Sequence, residues 1–335
     1  MTTDELVAAT AAAARASCRI GEPWSVAAVV VTYHAPDHLR RCVEAIGRQT
    51  SAVSALFVVD NDENAGAGWN VDNDPTLSAG VHVIRPGENL GPAGGFAIGL
   101  AAAIEAGASF VWLMDDDVTP TPDCLGEQLD VMQRLGNGAV LLPAMYDRDS
   151  GARRDTWGWC GLLVAARTCQ QIGMPRADFF WGFEDLDWII DRTTSRGIVR
   201  ARVESAAVEV SLRPKDAQLA DWKLYYYARN AVYLAVWGRR HIPLGRRWKR
   251  QLHHLIGTWK RAATSETPWS ARALVVRGAA DGVYRRMGRT LEPLDADRPI
   301  STATTALRAD MQAPDVESPP GGGSREFPLE IGERS

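Results

Sequence analysis

The sequence predicts an α/β fold: a mostly parallel, doubly wound sheet flanked by helices, followed by a C-terminal helical extension. Three observations carry this. Ala27–Thr32, Ala55–Asp60 and Phe110–Met114 are continuous apolar runs of the kind found in strands buried on both faces. Helical segments alternate with them in the order β-α-β-β-α-β, which favours parallel pairing. Beyond Asp221 the pattern changes to helix dense in Trp, Tyr and Arg.

The elements follow in order. Thr2–Ala16 is an alanine-rich helix with little apolar face, a docking arm or a mobile segment. After the first strand, a helix over about 37–48 is expected, capped by Asp37 behind Pro36. A Gly/Asn/Asp-rich loop separates the second strand from a third at Val81–Ile84. A helix over Gly91–Ala106 opens on a glycine-rich turn, and the strand Phe110–Met114 runs into Asp115, Asp116 and Asp117. A helix to about Leu135, strands at Ala139–Pro143 and Leu162–Ala165, and a helix from Glu184 to about Ser195 come next. The three C-terminal helices fall at about 222–237, 246–263 and 271–287, and the Pro/Gly-rich end, from Gln312, is expected to be disordered. The expected organisation is an N-terminal arm over 1–25, a catalytic domain over 26–220, aromatic and basic helices over 221–290 and a tail over 291–335.

Composition narrows the function. With 37 basic and 41 acidic residues the formal charge is −4, so no global basic field argues for nucleic acid. Five scattered cysteines without a C-x-x-C pair give no disulfide framework and fit a reducing cytoplasm. No apolar run reaches the roughly 18–20 residues of a membrane-spanning helix, and the N-terminus does not read as a signal peptide.

The aspartate triplet is the most informative motif. Ligands in an open α/β sheet bind outside the carboxyl ends of strands, and Asp115 and Asp117 share one side of an extended backbone while Asp116 faces the other. Such carboxylates suit a hard divalent metal, or form an acidic turn before the next helix. Thr32, Asp60 and Asn61 close two further strands, where hydroxyl, carboxylate and amide can meet a base or ribose, or make an Asx turn. In Asn89-Leu-Gly-Pro-Ala-Gly-Gly-Phe96, Gly91, Gly94 and Gly95 permit close backbone approach, and free N–H groups at a helix start can accept a phosphate or sugar oxygen. The spacing is not that of a dinucleotide fingerprint. Glu184 and Asp185 follow the aromatic run Phe179-Phe180-Trp181 at a helix start, where a carboxylate can act as general base. Asp187 and Asp191, four residues apart, read as a solvated face.

Taken in order, Asp60-Asn61, Asn89 to Phe96, Met114 to Asp117, Trp157-Gly158-Trp159, Phe183-Glu184-Asp185 and Asp221-Trp222 through Arg229-Asn230 resemble an inverting family 2 glycosyltransferase of the GT-A (Rossmann-like) fold. The chain looks most similar to bacterial cell-wall galactofuranosyltransferases and rhamnosyltransferases, over about residues 26–237. The resemblance implies a UDP- or dTDP-sugar donor bound through Thr32, Asp60, Asn61, Asn89, Gly91, Gly94, Gly95 and Asp116. It also implies Mn²⁺ or Mg²⁺ on Asp115 and Asp117, an acceptor site walled by Trp157, Trp159 and Trp181, and Asp185, beside Glu184, as base. The expected reaction is single-step, inverting transfer of galactofuranose, or next rhamnose, to a hydroxyl of a lipid-linked saccharide or other acceptor. The family's metal-binding histidine falls at Val210 here, which leaves neighbouring Glu209 as the third ligand, or a metal held by the two aspartates, diphosphate and water. Galactan synthases carry an extra N-terminal β-domain with no counterpart here, which favours single-sugar transfer. A catalytically silent GT-A scaffold that binds nucleotide or a partner protein is the second reading.

Basic residues Arg239, Arg240, His241, Arg246, Arg247, Lys249, Arg250, Lys260 and Arg261 alternate with Trp237, Trp248, Leu252, Leu255, Ile256 and Trp259 at helical spacing. Two readings stand: a helix lying on an anionic membrane surface at the inner face of the cell membrane, or one packed on the catalytic domain with a solvated basic face. The aromatic helices also suggest a homodimer face.

Overall fold

A computed structural model describes residues 2–18, 20–63, 80–211, 219–238 and 242–291. The expected disordered end and the basic triplet at 239–241 lie outside these residues, as does most of the loop before the third strand.

Among the described residues, nine strands form one sheet. Strands β1 (Val26–Thr32), β2 (Ala55–Asp60), β3 (Gly80–Ile84) and β4 (Phe110–Asp115) pair in parallel in the spatial order β3-β2-β1-β4. Beyond β4 the sheet is mixed. It continues through β8 (Cys160–Ala165), β6 (Val140–Asp147), β9 (Arg200–Val210) and β5 (Val118–Pro120), with β7 (Arg153–Arg154) beside β6. Only β6 and β9 run parallel in that half. The parallel half is what the unbroken apolar runs specify, since every residue of β1 is buried.

Helices cover both faces. Cys42, Val43 and Ile46 of α2 (Pro36–Gly47) and Leu125 and Met132 of α4 (Cys124–Arg134) pack with the strand residues Ala28, Val30, Val58 and Trp112 in one core. On the opposite face, α3 (Gly91–Ala106) places Phe96, Leu100 and Ala103 against Val29, Phe57 and Leu113. The N-terminal helix α1 (Thr3–Ser17) is neither arm nor mobile segment. Val7, Ala11 and Ala14 are buried in that same core, and a Thr2–Glu5 capping box closes its first turn. Small alanines allow this close packing without a wide apolar stripe. The second helix starts at Pro36 itself, so Asp37 lies in its first turn and does not cap it.

After α5 (Ala166–Ile172) and a single 3₁₀ turn at Ala177–Phe179, the helix expected from Glu184 is wound as a π-helix over Leu186–Arg192 and ends in a short α6 (Thr193–Ser195). Three helices follow among the described residues: α7 (Asp221–Trp237), α8 (Leu244–Ala263) and α9 (Pro268–Val283). Aromatic residues of α7, Trp222, Tyr225, Tyr226 and Tyr227, form a third core with Phe179, Phe180, Trp181 and Phe183.

Candidate active site

Strand register gathers the first half of the site. Thr32 lies opposite Asp60, and Val31 opposite Asp115, so the carboxyl ends of β2, β1 and β4 stand side by side. Asp60 and Asp115 are half-buried there, whereas Thr32, Asp116 and Asp117 are buried. Asp60 Oδ1 accepts the Asp62 N–H at 3.1 Å, and Arg85 approaches its other oxygen at 3.7 Å. Burial raises the Asp60 carboxyl above its usual range, against the pull of that N–H and of Arg85.

The three aspartates separate in role. The Asp115 N–H donates to the Trp159 carbonyl at 2.8 Å, which pins the end of β4 to the segment before β8. Asp116 turns inward, and its Oδ2 accepts the Thr32 hydroxyl at 2.6 Å, so Thr32 is committed to the motif. Asp117 Oδ2 is buried with no hydrogen-bond partner among the described residues. Burial, then the charge of Asp116, pushes the Asp117 carboxyl well above the usual range, opposed by Arg148. Such an atom is a natural partner for a cation.

Two carboxylates are what a Mg²⁺ or Mn²⁺ shared with a diphosphate asks of a protein. Asp115, half-buried, and Asp117, with its unpartnered buried oxygen, are the two carboxylates whose chemistry suits such an ion. Glu209 does not add a third ligand as expected. It is 55% exposed and pairs with Arg148 at 3.8 Å, while Arg148 also donates to the Asp117 carbonyl at 3.3 Å and to Ser211 Oγ at 2.6 Å. The guanidinium therefore stands between Glu209 and the aspartates. Val210 is fully buried opposite Val118, and no group of three His, Cys, Asp or Glu that could hold a metal occurs among the described residues.

The glycine turn is shaped by packing. Gly91 has φ +65°, and a Cβ there would lie 2.1 Å from the Phe180 carbonyl oxygen. A Cβ at Gly95 would lie 2.6 Å from Val31, and one at Gly94 2.5 Å from Leu90. The expected free N–H groups are not free. Gly91 N–H donates to Asn89 Oδ1 at 2.8 Å, Ala93 to Phe180 O at 3.3 Å and Gly94 to Leu90 O at 3.3 Å; Pro92 has none. Asn61 joins the turn to the sheet, donating to Gly91 O at 3.1 Å and accepting from Leu90 N–H at 3.4 Å.

The second half of the site hangs on long-range contacts. Trp159 is fully buried, stacks on Phe96 at 4.3 Å and donates its indole N–H to Glu184 Oε1 at 3.2 Å. Through its backbone carbonyl and its side chain, this one residue links Asp115 to Glu184. Asp185, also buried, begins the π-helix and accepts the Leu186 N–H at 2.7 Å. Trp181 is fully buried against Trp222 and Tyr227, with Lys223 over its ring at 5.0 Å. Trp159 and Trp181 thus support the site from behind and cannot wall an acceptor in this conformation; Trp157, half-buried beneath Arg200 and Arg202, keeps exposed surface. Asp187 and Asp191 are not a solvated face either. Asp187 pairs with Arg192 at 2.7 Å, and Asp191 with Arg250 of α8.

Sequence reasoning left Arg229 and Asn230 without a role. Both are fully buried in α7. Asn230 Nδ2 donates to the carbonyls of Phe179, Trp181 and Gly182 at 3.1, 3.1 and 2.8 Å, and Arg229 Nη2 to Phe179 O at 2.7 Å. They hold a loop in which Phe180 and Phe183 have φ +58° and +69°, a costly conformation for aromatic residues. The signal was present as an adjacent Arg-Asn inside an otherwise apolar helix.

Residues 27–183 match the family model described as glycosyl transferase family 2. That segment, just under half of the chain, is similar to family 2 glycosyltransferases. It contains the aspartate triplet, the glycine turn and Trp159, and it ends one residue before Glu184. Among curated proteins, galactofuranosyltransferase GlfT1 of Mycobacterium tuberculosis is 41% identical over 95 residues, 28% of this chain and 30% of that protein. The same enzyme of Mycolicibacterium smegmatis is 39% identical over 95 residues, with the same coverage. The match therefore spans 30% of the length of these relatives. Among solved structures, S. aureus TarS 1-349 aligns over 78% of this chain and 91% of its own, with TM-score 0.48 and 13% identity. GalNAc-T7 with UDP, GalNAc and Mn²⁺ aligns over 69% and 55%, with TM-score 0.47 and 12% identity.

Proposed function

We propose that the chain is an inverting glycosyltransferase. It moves a sugar, galactofuranose by preference and rhamnose next, from a nucleoside diphosphate to a hydroxyl of a lipid-linked saccharide. One observation carries the reading: Trp159 joins the aspartate end of β4 to the Glu184–Asp185 pair, so that a donor-side and an acceptor-side carboxylate group share one rigid support. The family 2 match and the partial similarity to galactofuranosyltransferases support the reaction class and the donor preference.

In this reading Asp60 and Asn61 receive the nucleoside, with the turn at Asn89–Gly95 along the phosphate and sugar. Asp115 and Asp117 hold the divalent ion, which when bound neutralises charge on the diphosphate. Asp185 takes the proton of the acceptor hydroxyl on its carboxylate as that oxygen attacks the anomeric carbon from the side opposite the leaving diphosphate. Displacement in one step inverts the configuration. Glu184, held by Trp159, is a positioning group beside the base, and Trp157 offers an apolar face to the acceptor. Arg148, which bonds the Asp117 carbonyl, fixes the end of the metal motif.

Calorimetric titration of UDP and dTDP, each with Mn²⁺ and with EDTA, tests the donor half. Binding of one nucleotide that requires the metal and is lost in Asp117→Ala supports the proposal. Failure of both nucleotides to bind folded protein would overturn it in favour of a silent scaffold.

A further inference from the structure

Helix α8 carries apolar residues on its outward face as well as its inward one. Inward, Gln251, His254, Thr258 and Ala262 are buried and Leu255 packs on the aromatic core. Facing outward are Trp248, Leu252, Ile256 and Trp259, which are 37, 51, 47 and 44% exposed and follow one another at three- and four-residue spacing along one stripe. Helix α9 adds Trp269, 80% exposed, then Val276 and Val283, each about two turns further along the same side. Arg272 joins the two stripes, with its guanidinium 5.5 Å from the Trp259 ring and 5.4 Å from that of Trp269. Among the described residues nothing covers this face. It is larger than scattered surface hydrophobics require and calls for an occupant.

Charge identifies it. From Leu244 to Leu291 there are eleven basic and two acidic residues, although the whole chain is net negative. On α8, exposed Arg246, Lys249, His253 and Lys260 flank the apolar stripe along one side. We infer that α8 and α9 form a docking face for an anionic phospholipid surface, with Trp248, Leu252, Ile256, Trp259 and Trp269 entering the acyl boundary while the basic flank meets headgroups. A second copy of this chain fits less well, because it would bring two strongly basic faces together. The face is tied to the site. His254 packs edge-on against Phe183 at 5.0 Å, and Arg250 pairs with Asp191 of the π-helix that begins after Asp185. Docking would therefore place the acceptor half of the site behind α8, one helix diameter, about 10 Å, from the bilayer. This extends the proposed function by making the acceptor lipid-borne, but its test reads binding to vesicles alone.

The experiment is cosedimentation of the full chain with phosphatidylcholine vesicles and with phosphatidylcholine–phosphatidylglycerol vesicles. Variants are Leu252→Ser/Ile256→Ser and Lys249→Gln/Lys260→Gln; Tm and UDP titration report their fold and donor site. The expected result is salt-sensitive binding to the anionic vesicles only, weakened about tenfold or more in each variant. Equal binding to both vesicle types, or unchanged binding by both variants, overturns the inference. So does a wild type that stays out of the lipid pellet, whether monomeric or as a dimer that Leu252→Ser/Ile256→Ser dissociates in sedimentation velocity.

Discussion

The two halves of the candidate site are built differently. The donor half is a row of strand ends, Asp60, Thr32 and Asp115, aligned by the register of three parallel neighbours and therefore fixed by local pattern. The acceptor half has no such scaffold. Glu184 and Asp185 stand where they do because two distant elements fix them: Trp159 bonds Glu184, and Arg229 and Asn230 hold the carbonyls of Phe179, Trp181 and Gly182 just ahead of the pair. The donor half should tolerate changes outside its own carboxylates, whereas the acceptor half should fail through its supports.

On the donor half the largest effect expected is at Asp117. Replacing it with Asn removes a buried carboxylate oxygen that lacks a partner, so transfer should fall by about 10²–10³-fold. The Tm of the metal-free protein should nevertheless rise, since an uncompensated buried charge is lost. Calorimetry of folding with and without Mn²⁺ would show metal stabilising the wild type only; a fall in metal-free Tm would break the donor-side account.

Asn230→Ala should sharpen the contrast. It strips one donor group from three buried carbonyls and should cost about 2–4 kcal/mol by urea unfolding. At temperatures where the variant is folded, KM for the acceptor should rise and UDP affinity should hold. Equal weakening of both would mean that the halves are not separable.

Trp159→Phe can keep a ring on Phe96, but it removes the bond to Glu184 and part of a fully buried indole that also packs on Trp188. About 2–3 kcal/mol of stability and roughly tenfold in transfer rate are expected to go, with metal-dependent UDP binding intact.

The smallest effect is at His254, whose pKa is lowered to about 4 by burial, then by Arg250 and His253. The folded state disfavours its protonation. The unfolded chain thus binds the proton first as pH falls below about 6.5, and stability present above that pH is lost progressively toward pH 4. His254→Gln should flatten the decline of Tm between about pH 6.5 and 5, where few carboxylates titrate. An unchanged slope would remove His254 as its cause.

This division also decided what the sequence could reveal. Buried apolar runs ending in Asp60 and Asp115 specify both the sheet and the strand ends, because a strand's period and its end are local properties. The antiparallel half beyond β4, the burial of α1 and the π-winding after Asp185 depend on contacts between distant segments. So do the roles of the tryptophans: Trp157, Trp159 and Trp181 are alike in sequence, yet two are core and one keeps a face to solvent. Glu209 was the nearest carboxylate to the expected histidine position, and only the fold brings Arg148 between it and the aspartates. The apolar stripe of α8 was legible as periodicity, but not that Trp248, Leu252, Ile256 and Trp259 point outward.

The central claim is that Asp185 acts on the acceptor while the donor is held elsewhere. Its most direct test is Asp185→Asn, which preserves the cap on Leu186, assayed for UDP affinity with Mn²⁺ and for sugar transfer from UDP-galactofuranose. The account predicts unchanged UDP affinity and transfer reduced by about 10³-fold. Transfer at the wild-type rate, or loss of UDP binding in a folded variant, would contradict it.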